Sequence, residues 1–238
     1  MEPRALTVTG GMTLMQTKNV FPLGQDSVLL GHFAQPSPRG RALDLGAGAG
    51  VLSLILLARF PALHVTALEV DESAAALCDR NRRENRLEDR MAVVCGDLRD
   101  RAALPPHGSM DYVVCNPPYF SPGSGSHHAT LPGARQELSC TAANAAAAAA
   151  FALREGGKCA MVYRPERLPA LLRAFEDARL TPKRLRFVHG RADKAPSAVL
   201  LEGMKGAREG LQVLPSLVVC HADGSYTDEY KTIYSINC

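Results

Sequence analysis

The sequence contains no long apolar run. Its 238 residues include no stretch near the ~18 uncharged apolar residues that a membrane-spanning helix needs, so no membrane span is predicted. The first twenty residues also lack a basic start followed by an apolar core, so no signal peptide is predicted. With an apolar fraction of 46%, these absences predict a folded cytoplasmic protein without a membrane partner.

Paired cysteines are absent as well. The seven cysteines are odd in number, scattered along the chain and never spaced C-x-x-C. This pattern favours reduced thiols over a disulfide framework or a zinc site. No other cluster of metal ligands stands out in the sequence, and we expect no bound metal.

Excess charge is small, at +3 overall, but it is unevenly distributed. From Arg164 to Arg208 there are eleven Lys/Arg and five Asp/Glu, whereas the tail from Glu209 holds four acids and one lysine. The basic segment indicates an anionic partner or, alternatively, an ordinary solvated face.

Short apolar runs alternate with amphipathic stretches from Arg41 onward. Strands are predicted for RALDLG, HVTALEV, MAVVCGD, MDYVVCN and CAMVYR. Helices are predicted for VLSLILLARF, DESAAALCDRNRREN and LPALLRAFEDARL. This alternation predicts an α/β fold with a mostly parallel sheet and helices on both faces. We expect residues 1–238 to form one domain, with residues 1–40 as an N-terminal extension packed on its core.

Three further segments have less regular patterns. ELSCTAANAAAAAAFALREGGK is predicted to be one long helix, closed by Gly156 and Gly157. QDSVLLGHFA is predicted to be a helix capped by Asp26 or Ser27. LRFVHGRADKAPSAVLLEGMKG is predicted to form two strands around a polar turn, which would add an antiparallel strand at the edge of the sheet.

A glycine-rich turn follows the first strand of the α/β pattern. Gly46, Gly48 and Gly50 allow the close backbone approach that wraps a cofactor at the carboxyl end of a strand. The next strand ends at Glu69, which could accept hydrogen bonds from ribose hydroxyls, and the third ends at Asp97, which suits an exocyclic amine. Because open α/β sheets bind ligands at this edge, the three strand ends together predict a nucleotide-like cofactor.

The fourth strand stops on Asn116, Pro117, Pro118 and Tyr119. Proline provides no backbone N–H and drives the preceding residue out of helix, so these residues predict a stiff, extended corner. In isolation the corner is a strand terminator. Its place after the glycine turn, Glu69 and Asp97 favours a functional reading.

Taken together, these motifs resemble those of the class I S-adenosylmethionine (SAM)-dependent methyltransferases. The resemblance implies a Rossmann-like, mostly parallel seven-stranded sheet with an antiparallel edge strand, and SAM as cofactor, released as S-adenosylhomocysteine. It also implies a set of cofactor-binding residues at the strand ends: Asp44, Gly46, Ala47, Gly48, Gly50, Glu69, Val70, Asp97, Leu98 and Asn116.

The Asn-Pro-Pro-Tyr tetrapeptide resembles that of the methyltransferases that act on planar amides and exocyclic amines. Within this subset the chain is most similar to the bacterial tRNA(Val) adenine-N6 methyltransferases, which modify the adenine beside the anticodon. The segments that support this likeness are QDSVLL, FSPGSG, ARQEL, AVLLEGMKG and DGSYTDEY. Gln136 stands where that family would be expected to carry histidine.

The resemblance implies roles for the four residues of the tetrapeptide. Asn116 Oδ1 and the Pro117 carbonyl would accept the two N–H groups of the adenine amine, and the paired prolines would hold that carbonyl in place before the base arrives. Tyr119 would stack on the extruded base. His127 and His128 lie in a Gly/Ser-rich stretch, where a surface loop without chemical role is the favoured reading.

The resemblance implies tRNA as the partner, and the basic segment suits contacts with its phosphates. The residues expected to contact the RNA are Arg135, Lys183, Arg184, Arg186, Arg191 and Lys194. We expect a monomer or a weak homodimer.

Three alternatives stay open. The same tetrapeptide serves N5-methylation of glutamine in release factors, but those enzymes carry a helical N-terminal domain for which forty residues leave no room. Methylation of adenine in DNA is the second alternative, but the chain shows no insert suited to reading the sequence of a duplex. A non-catalytic RNA-binding module would not need intact Asp44, Glu69, Asp97 and Asn116.

Overall fold

Residues 4–17, 24–117 and 140–234 are described by a computed structural model. The first elements are an antiparallel hairpin and a helix: β1 (Arg4–Val8), β2 (Met12–Gln16) and α1 (Gln25–Phe33). The predicted cap of α1 is wrong, because the helix begins one residue before Asp26 and its N-cap position is Gly24. The hairpin was not anticipated from the sequence.

The central part of the sheet is built from βαβ units. Its elements are β3 (Arg41–Leu45), α2 (Val51–Arg59), β4 (His64–Glu69), α3 (Glu72–Glu84), β5 (Met91–Cys95) and β6 (Met110–Cys115). The four strands are parallel and lie in the order β5-β4-β3-β6. Helix α3 begins where the Asp71 carboxylate accepts the N–H of Ala74, and it carries two arginines in its last turn, as the helix dipole favours.

The second half of the chain extends the sheet beyond β6. Its elements are α4 (Ala142–Ala152), β7 (Leu153–Tyr163), α5 (Leu168–Asp177), β8 (Leu180–Arg191), β9 (Pro196–Lys205), β10 (Gln212–Val213), β11 (Leu217–Cys220) and α6 (Asp228–Tyr234). The strand order continues as β6-β7-β9-β8, and the short β10 and β11 both pair with β8. The predicted antiparallel strand is β9, but it is not the edge strand: it lies between β7 and β8, and β10 and β11 lie beyond β8. The sheet has nine strands in the described residues, against the seven expected.

The alanine-rich helix is shorter than predicted. It ends at Ala152, and Leu153 begins strand β7, so Gly156 and Gly157 lie inside a strand and do not close the helix. The helix end is stabilised from elsewhere in the chain: Lys205 Nζ donates to the carbonyls of Ala150 and Leu153, each at 2.7 Å. A cation that binds the last carbonyls replaces the expected glycine cap.

Helices cover both faces of the sheet, as predicted. One core contains the apolar side chains of α1, α2 and α3, and the other contains those of α4 and α5. Neighbouring residues of a strand alternate between the two cores: Ala42 and Tyr112 belong to the first, Leu43 and Val113 to the second. No helix within the described residues is long and apolar enough to cross a membrane. The six cysteines of the described ranges are free thiols.

Candidate active site at the carboxyl edge of the sheet

Strand register brings the motif residues to one edge of the sheet. Leu45 in β3 is level with Leu68 in β4 and with Cys115 in β6, and Glu69 is level with Cys95 in β5. The residues that follow these strands, including Gly46, Asp97 and Asn116, therefore emerge side by side. This grouping is what the sequence predicted.

The glycine turn leaves room that a side chain would occupy. Gly46 and Gly48 have φ values of +70° and +54°, and a Cβ at either position would meet no other atom within 4 Å. Gly50 is different, because a Cβ there would lie 2.7 Å from Cys78 Sγ. The first two glycines thus keep a cradle open above the turn, while the third allows helix α3 to approach it.

Glu69 holds the turn together. Its Oε2 accepts the N–H of Gly48 at 2.7 Å, and its Oε1 accepts the N–H of Asp71 at 2.9 Å. A carboxylate oxygen can accept a second bond, so these contacts orient the group and leave acceptor capacity for ligand hydroxyls. The neighbouring Val70 is 41% exposed and provides an apolar surface beside the carboxylate.

Asp44 is fully buried beneath the turn. The N–H and hydroxyl of Ser53 donate to its Oδ2 at 3.0 and 2.7 Å, whereas its Oδ1 has no partner within the described residues. Burial raises the pKa of Asp44 to about 7, against the opposing effect of the Ser53 bonds. An acceptor without a donor, below an open cradle, fits a ligand that brings a cationic or N–H group, as the aminoacyl end of SAM does.

Asp97 is engaged with a nearby arginine. Arg99 Nε lies 3.0 Å from Oδ1 and 2.9 Å from Oδ2, and the Arg99 N–H donates to Oδ1 at 2.8 Å. The hydrogen bonds from the Arg99 side chain lower the pKa of Asp97 below its ordinary value. The adjacent Leu98 is partly buried and packs against the second core.

Asn116 follows β6, beside the glycine turn. Its side-chain Nδ2 donates to Ser27 Oγ, on the first turn of α1, at 3.0 Å. The following Pro117 is buried. Sequence reasoning noted the QDSVLL segment but assigned Ser27 only a capping role. The described residues do not include five positions named in the sequence analysis: Pro118, Tyr119, His127, His128 and Arg135.

A second residue that sequence reasoning missed is Asn81, on α3. It is fully buried, and its Nδ2 donates to the carbonyl of Ala49 in the glycine turn at 2.9 Å. The same side chain exchanges hydrogen bonds with the backbone of Met15 in β2. The signal that could have identified it is its spacing of four and three residues from Leu77 and Cys78, which places it on the apolar face of α3.

The predicted RNA-binding residues fall into different environments. Arg184 is paired with the buried Glu202 at 3.3 Å and lies over the ring of Phe33, and Arg186 is paired with Glu229 at 2.7 Å. Both guanidinium groups therefore have structural partners. Lys183 is partly buried on the same strand, and its Nζ donates to the carbonyl of Arg208 at 3.2 Å.

Arg191 and Lys194 lie at the turn between β8 and β9. Because β9 is antiparallel to both β7 and β8, this turn projects from the same edge of the sheet as Asn116. Arg191 Nε lies 3.0 Å from Asp193 Oδ1, and both residues are solvent-accessible. The described residues contain no group of three or more His, Cys, Asp or Glu side chains that could hold a metal ion.

Comparison with known proteins identifies the family of this chain. A model of the methyltransferase small domain family matches residues 12–188. A tRNA1(Val) (adenine(37)-N6)-methyltransferase from Porphyromonas gingivalis is 30% identical over 90% of this chain and 88% of its own length. A protein of the same name from Shewanella woodyi is 27% identical over 87% of this chain and 88% of its own.

Solved structures show the same fold. A predicted O-methyltransferase from Agrobacterium tumefaciens superposes with a TM-score of 0.74 at 21% identity, over 89% of this chain and 96% of its own. The 16S rRNA N2 G1207 methyltransferase of T. Thermophilus, in complex with AdoMet and guanosine, gives a TM-score of 0.62 at 23% identity, over 86% of this chain and 51% of its own.

Proposed function

The chain belongs to the methyltransferase small domain family of SAM-dependent enzymes, and we propose that its methyl acceptor is N6 of an adenine in tRNA, the anticodon-loop adenine of tRNA-Val. The observation that carries the proposal is the position of Asn116 and Pro117. They follow β6 directly beside the glycine turn, at an edge where an amine and a methyl donor can meet. The relatives that match most of the chain support tRNA as the substrate.

The cofactor would lie along the ends of β3, β4 and β5. Its aminoacyl end would be surrounded by the glycine turn, at Gly46, Ala47, Gly48 and Gly50. Asp44 Oδ1 would be the acceptor below it. Glu69 would take the ribose hydroxyls, and Val70, Asp97 and Leu98 would flank the adenine. When bound, SAM would supply a methyl group on a positively charged sulfur: S-adenosylhomocysteine leaves with the electrons of the C–S bond as the bond to N6 forms. N6 then loses one proton to water, so no strong base is needed.

The corner after β6 would prepare the nucleophile. The lone pair of adenine N6 is delocalised into the ring, so the amine is planar and a poor nucleophile. Asn116 Oδ1 and the Pro117 carbonyl would accept its two N–H groups, favour a tetrahedral nitrogen and direct the lone pair at the methyl group. Pro118 would keep the Pro117 carbonyl fixed, and Tyr119 would stack on the base, a contact of ~1–3 kcal/mol.

The RNA backbone would be bound by basic side chains around this edge. Arg191 and Lys194 suit phosphate contacts because their turn projects from the same edge as Asn116. Arg135, directly after the corner in the sequence, is proposed as a further contact. Contacts of the RNA with Lys183, Arg184 and Arg186 stay predictions. The ion pairs of the two arginines already account for the positions of their side chains.

The test is methyl transfer to tRNA by wild-type protein and by Asn116→Ala. With labelled SAM and undermodified tRNA, the wild type should form N6-methyladenosine, identified by mass after digestion. Asn116→Ala should lose about 100-fold or more in kcat because a preorganised acceptor is removed, and SAM affinity by calorimetry should fall far less than kcat, because the other cofactor-binding residues are unchanged.

Two results would contradict the proposal. Label found only in protein would indicate the glutamine-methylating alternative. Undiminished turnover by Asn116→Ala would refute the role of the amide while leaving tRNA as the substrate.

A further inference from the structure

We infer that Ser27 is a positioning residue for the reaction: its hydroxyl holds the amide of Asn116 in the plane from which Oδ1 meets the substrate amine. This inference rests on the proposed function, in which Asn116 Oδ1 is the acceptor. It gives helix α1, which is separate from the strand ends that carry the cofactor motifs, a part in the chemistry through Asn116.

The contact is specific and joins distant parts of the chain. Asn116 Nδ2 donates to Ser27 Oγ at 3.0 Å, across 89 residues of sequence. Both side chains are partly buried. Ser27 stands in the first turn of α1, where the helix needs no side-chain hydroxyl as its cap because Gly24 holds that position.

Helix α1 is anchored at both ends, so the Ser27 hydroxyl is a fixed point. Near its start, Gln25 Nε2 donates to the Tyr230 hydroxyl of α6 at 3.2 Å. Near its end, Arg59 Nη1 donates to the carbonyls of Gly31 and Ala34. A Cβ on Gly31 would lie 2.7 Å from Ile55 Cγ2, so α1 packs closely against α2 at this point.

The orientation of the amide matters because its two ends have opposite hydrogen-bonding character. Rotation about the last torsion of asparagine is soft, and a half-turn would present Nδ2 to the substrate amine, which also donates. A hydroxyl both donates and accepts, so Ser27 fixes the plane of the amide. The incoming amine then selects the rotamer with Oδ1 towards it. Ser27 thus removes rotational freedom before the base arrives.

The first measurement is kcat for Ser27→Ala with tRNA as substrate. Loss of one neutral hydrogen bond should lower kcat by about three- to tenfold. KM for SAM and the dissociation constant of SAM should stay within about twofold of wild type. Ser27→Thr keeps the hydroxyl and should restore at least half of the wild-type kcat.

A double-mutant cycle separates positioning from a general effect on folding. In the Asn116→Ala background, Ser27→Ala should cause no further loss in single-turnover rate, since the group that it positions is gone. Thr181→Val is the control, at a site remote from Asn116. It removes a partly buried hydroxyl that donates to the carbonyl of Ala207 at 2.8 Å, leaves helix α1 and the Asn116 contact intact, and should keep kcat within about twofold.

Several results would overturn the inference. These are wild-type kcat for Ser27→Ala, a change confined to KM for SAM, failure of Ser27→Thr to restore activity, or an equal loss in both backgrounds. If Ser27→Ala fails to fold, Ser27→Cys replaces it, and full activity with the weaker acceptor thiol refutes the role. Loss of activity in Asn116→Ala together with full activity in Ser27→Ala overturns this inference alone, whereas full activity in Asn116→Ala overturns the proposed role of the amide.

Discussion

Asp44 combines complete burial with a half-satisfied carboxylate. Ser53 binds one oxygen, and the other has no partner in the described parts of the chain. Such an arrangement destabilises the ionised form, and the pKa of Asp44 rises from 3.8 to about 7. The residue is poorly suited to stabilising the unliganded fold, and well suited to accept a hydrogen bond from a bound cofactor.

This shift predicts a pH-dependent stability for the cofactor-free protein. Between pH 4 and 7 the folded state holds a proton on Asp44 that the unfolded state has released, so the contribution of Asp44 to stability falls as pH rises through this range. Asp44→Asn removes the effect. Urea unfolding should therefore show that the variant gains stability relative to wild type between pH 5 and pH 8. A difference independent of pH would contradict the raised pKa.

Helix α3 binds the N-terminal hairpin through two asparagines one turn apart. Asn81 and Asn85 each exchange hydrogen bonds with a residue of β2, at Met15 and Thr13 respectively. Their amides occupy the edge of the hairpin as a neighbouring strand would, which satisfies backbone groups that are otherwise unpaired. Only Asn81 also contacts the glycine turn, through the carbonyl of Ala49.

Asn81→Ala and Asn85→Ala form a matched pair for separating these two roles. Asn81→Ala leaves buried backbone groups unsatisfied and should lower the free energy of unfolding by about 2–4 kcal/mol. Asn85 is less buried, and its removal should cost about 1 kcal/mol. Chemical denaturation gives both values. Calorimetry with SAM should show weakened binding for Asn81→Ala alone, and equal affinities would argue against support of the turn by Asn81.

At the scale of the whole molecule, the candidate site lies along one edge of the sheet. The strand ends that carry the cofactor motifs and the turn between β8 and β9 project in the same direction, because β8 runs parallel to β6 and β7 and ends at that edge. The basic residues of that turn are about eight residues of strand, roughly 25 Å, from Lys183. The position of a basic side chain along the strand, and not the total charge of the segment, should therefore decide whether it contacts the RNA.

The combined change Arg191→Ala and Lys194→Ala tests this placement. It should weaken tRNA binding and reduce the slope of log K against log salt concentration by about 1.5 to 2, because two phosphate contacts are lost. Filter binding over a range of salt concentrations measures both quantities. Lys183→Ala is the control from the same strand. A larger effect for this variant than for the double variant would indicate that the RNA binds at the opposite edge of the sheet.

Sequence patterns predicted the βαβ core, the helices on both faces and the meeting of the glycine turn, Glu69, Asp97 and Asn116 at one edge. These features depend on local periodicity and on a general property of parallel sheets, whose carboxyl ends coincide. The predicted end of the alanine-rich helix was wrong. The helix ends earlier, where Lys205, more than fifty residues away in the sequence, binds its last carbonyls. The hairpin has no strong sequence pattern of its own. Its backbone groups are satisfied by two asparagine side chains of the α3 region, which a local pattern cannot show.

What the sequence alone determined is the kind of chemistry: the order of the strand-end motifs and the corner after β6 follow from residues close together in the chain. Only the tertiary structure decided which side chains serve it. It placed Ser27 on Asn116 and Asn81 beneath the glycine turn, and it gave Arg184 and Arg186 acidic partners. The physical reason is that a hydrogen bond or ion pair between residues far apart in sequence depends on packing and register, which no local pattern encodes.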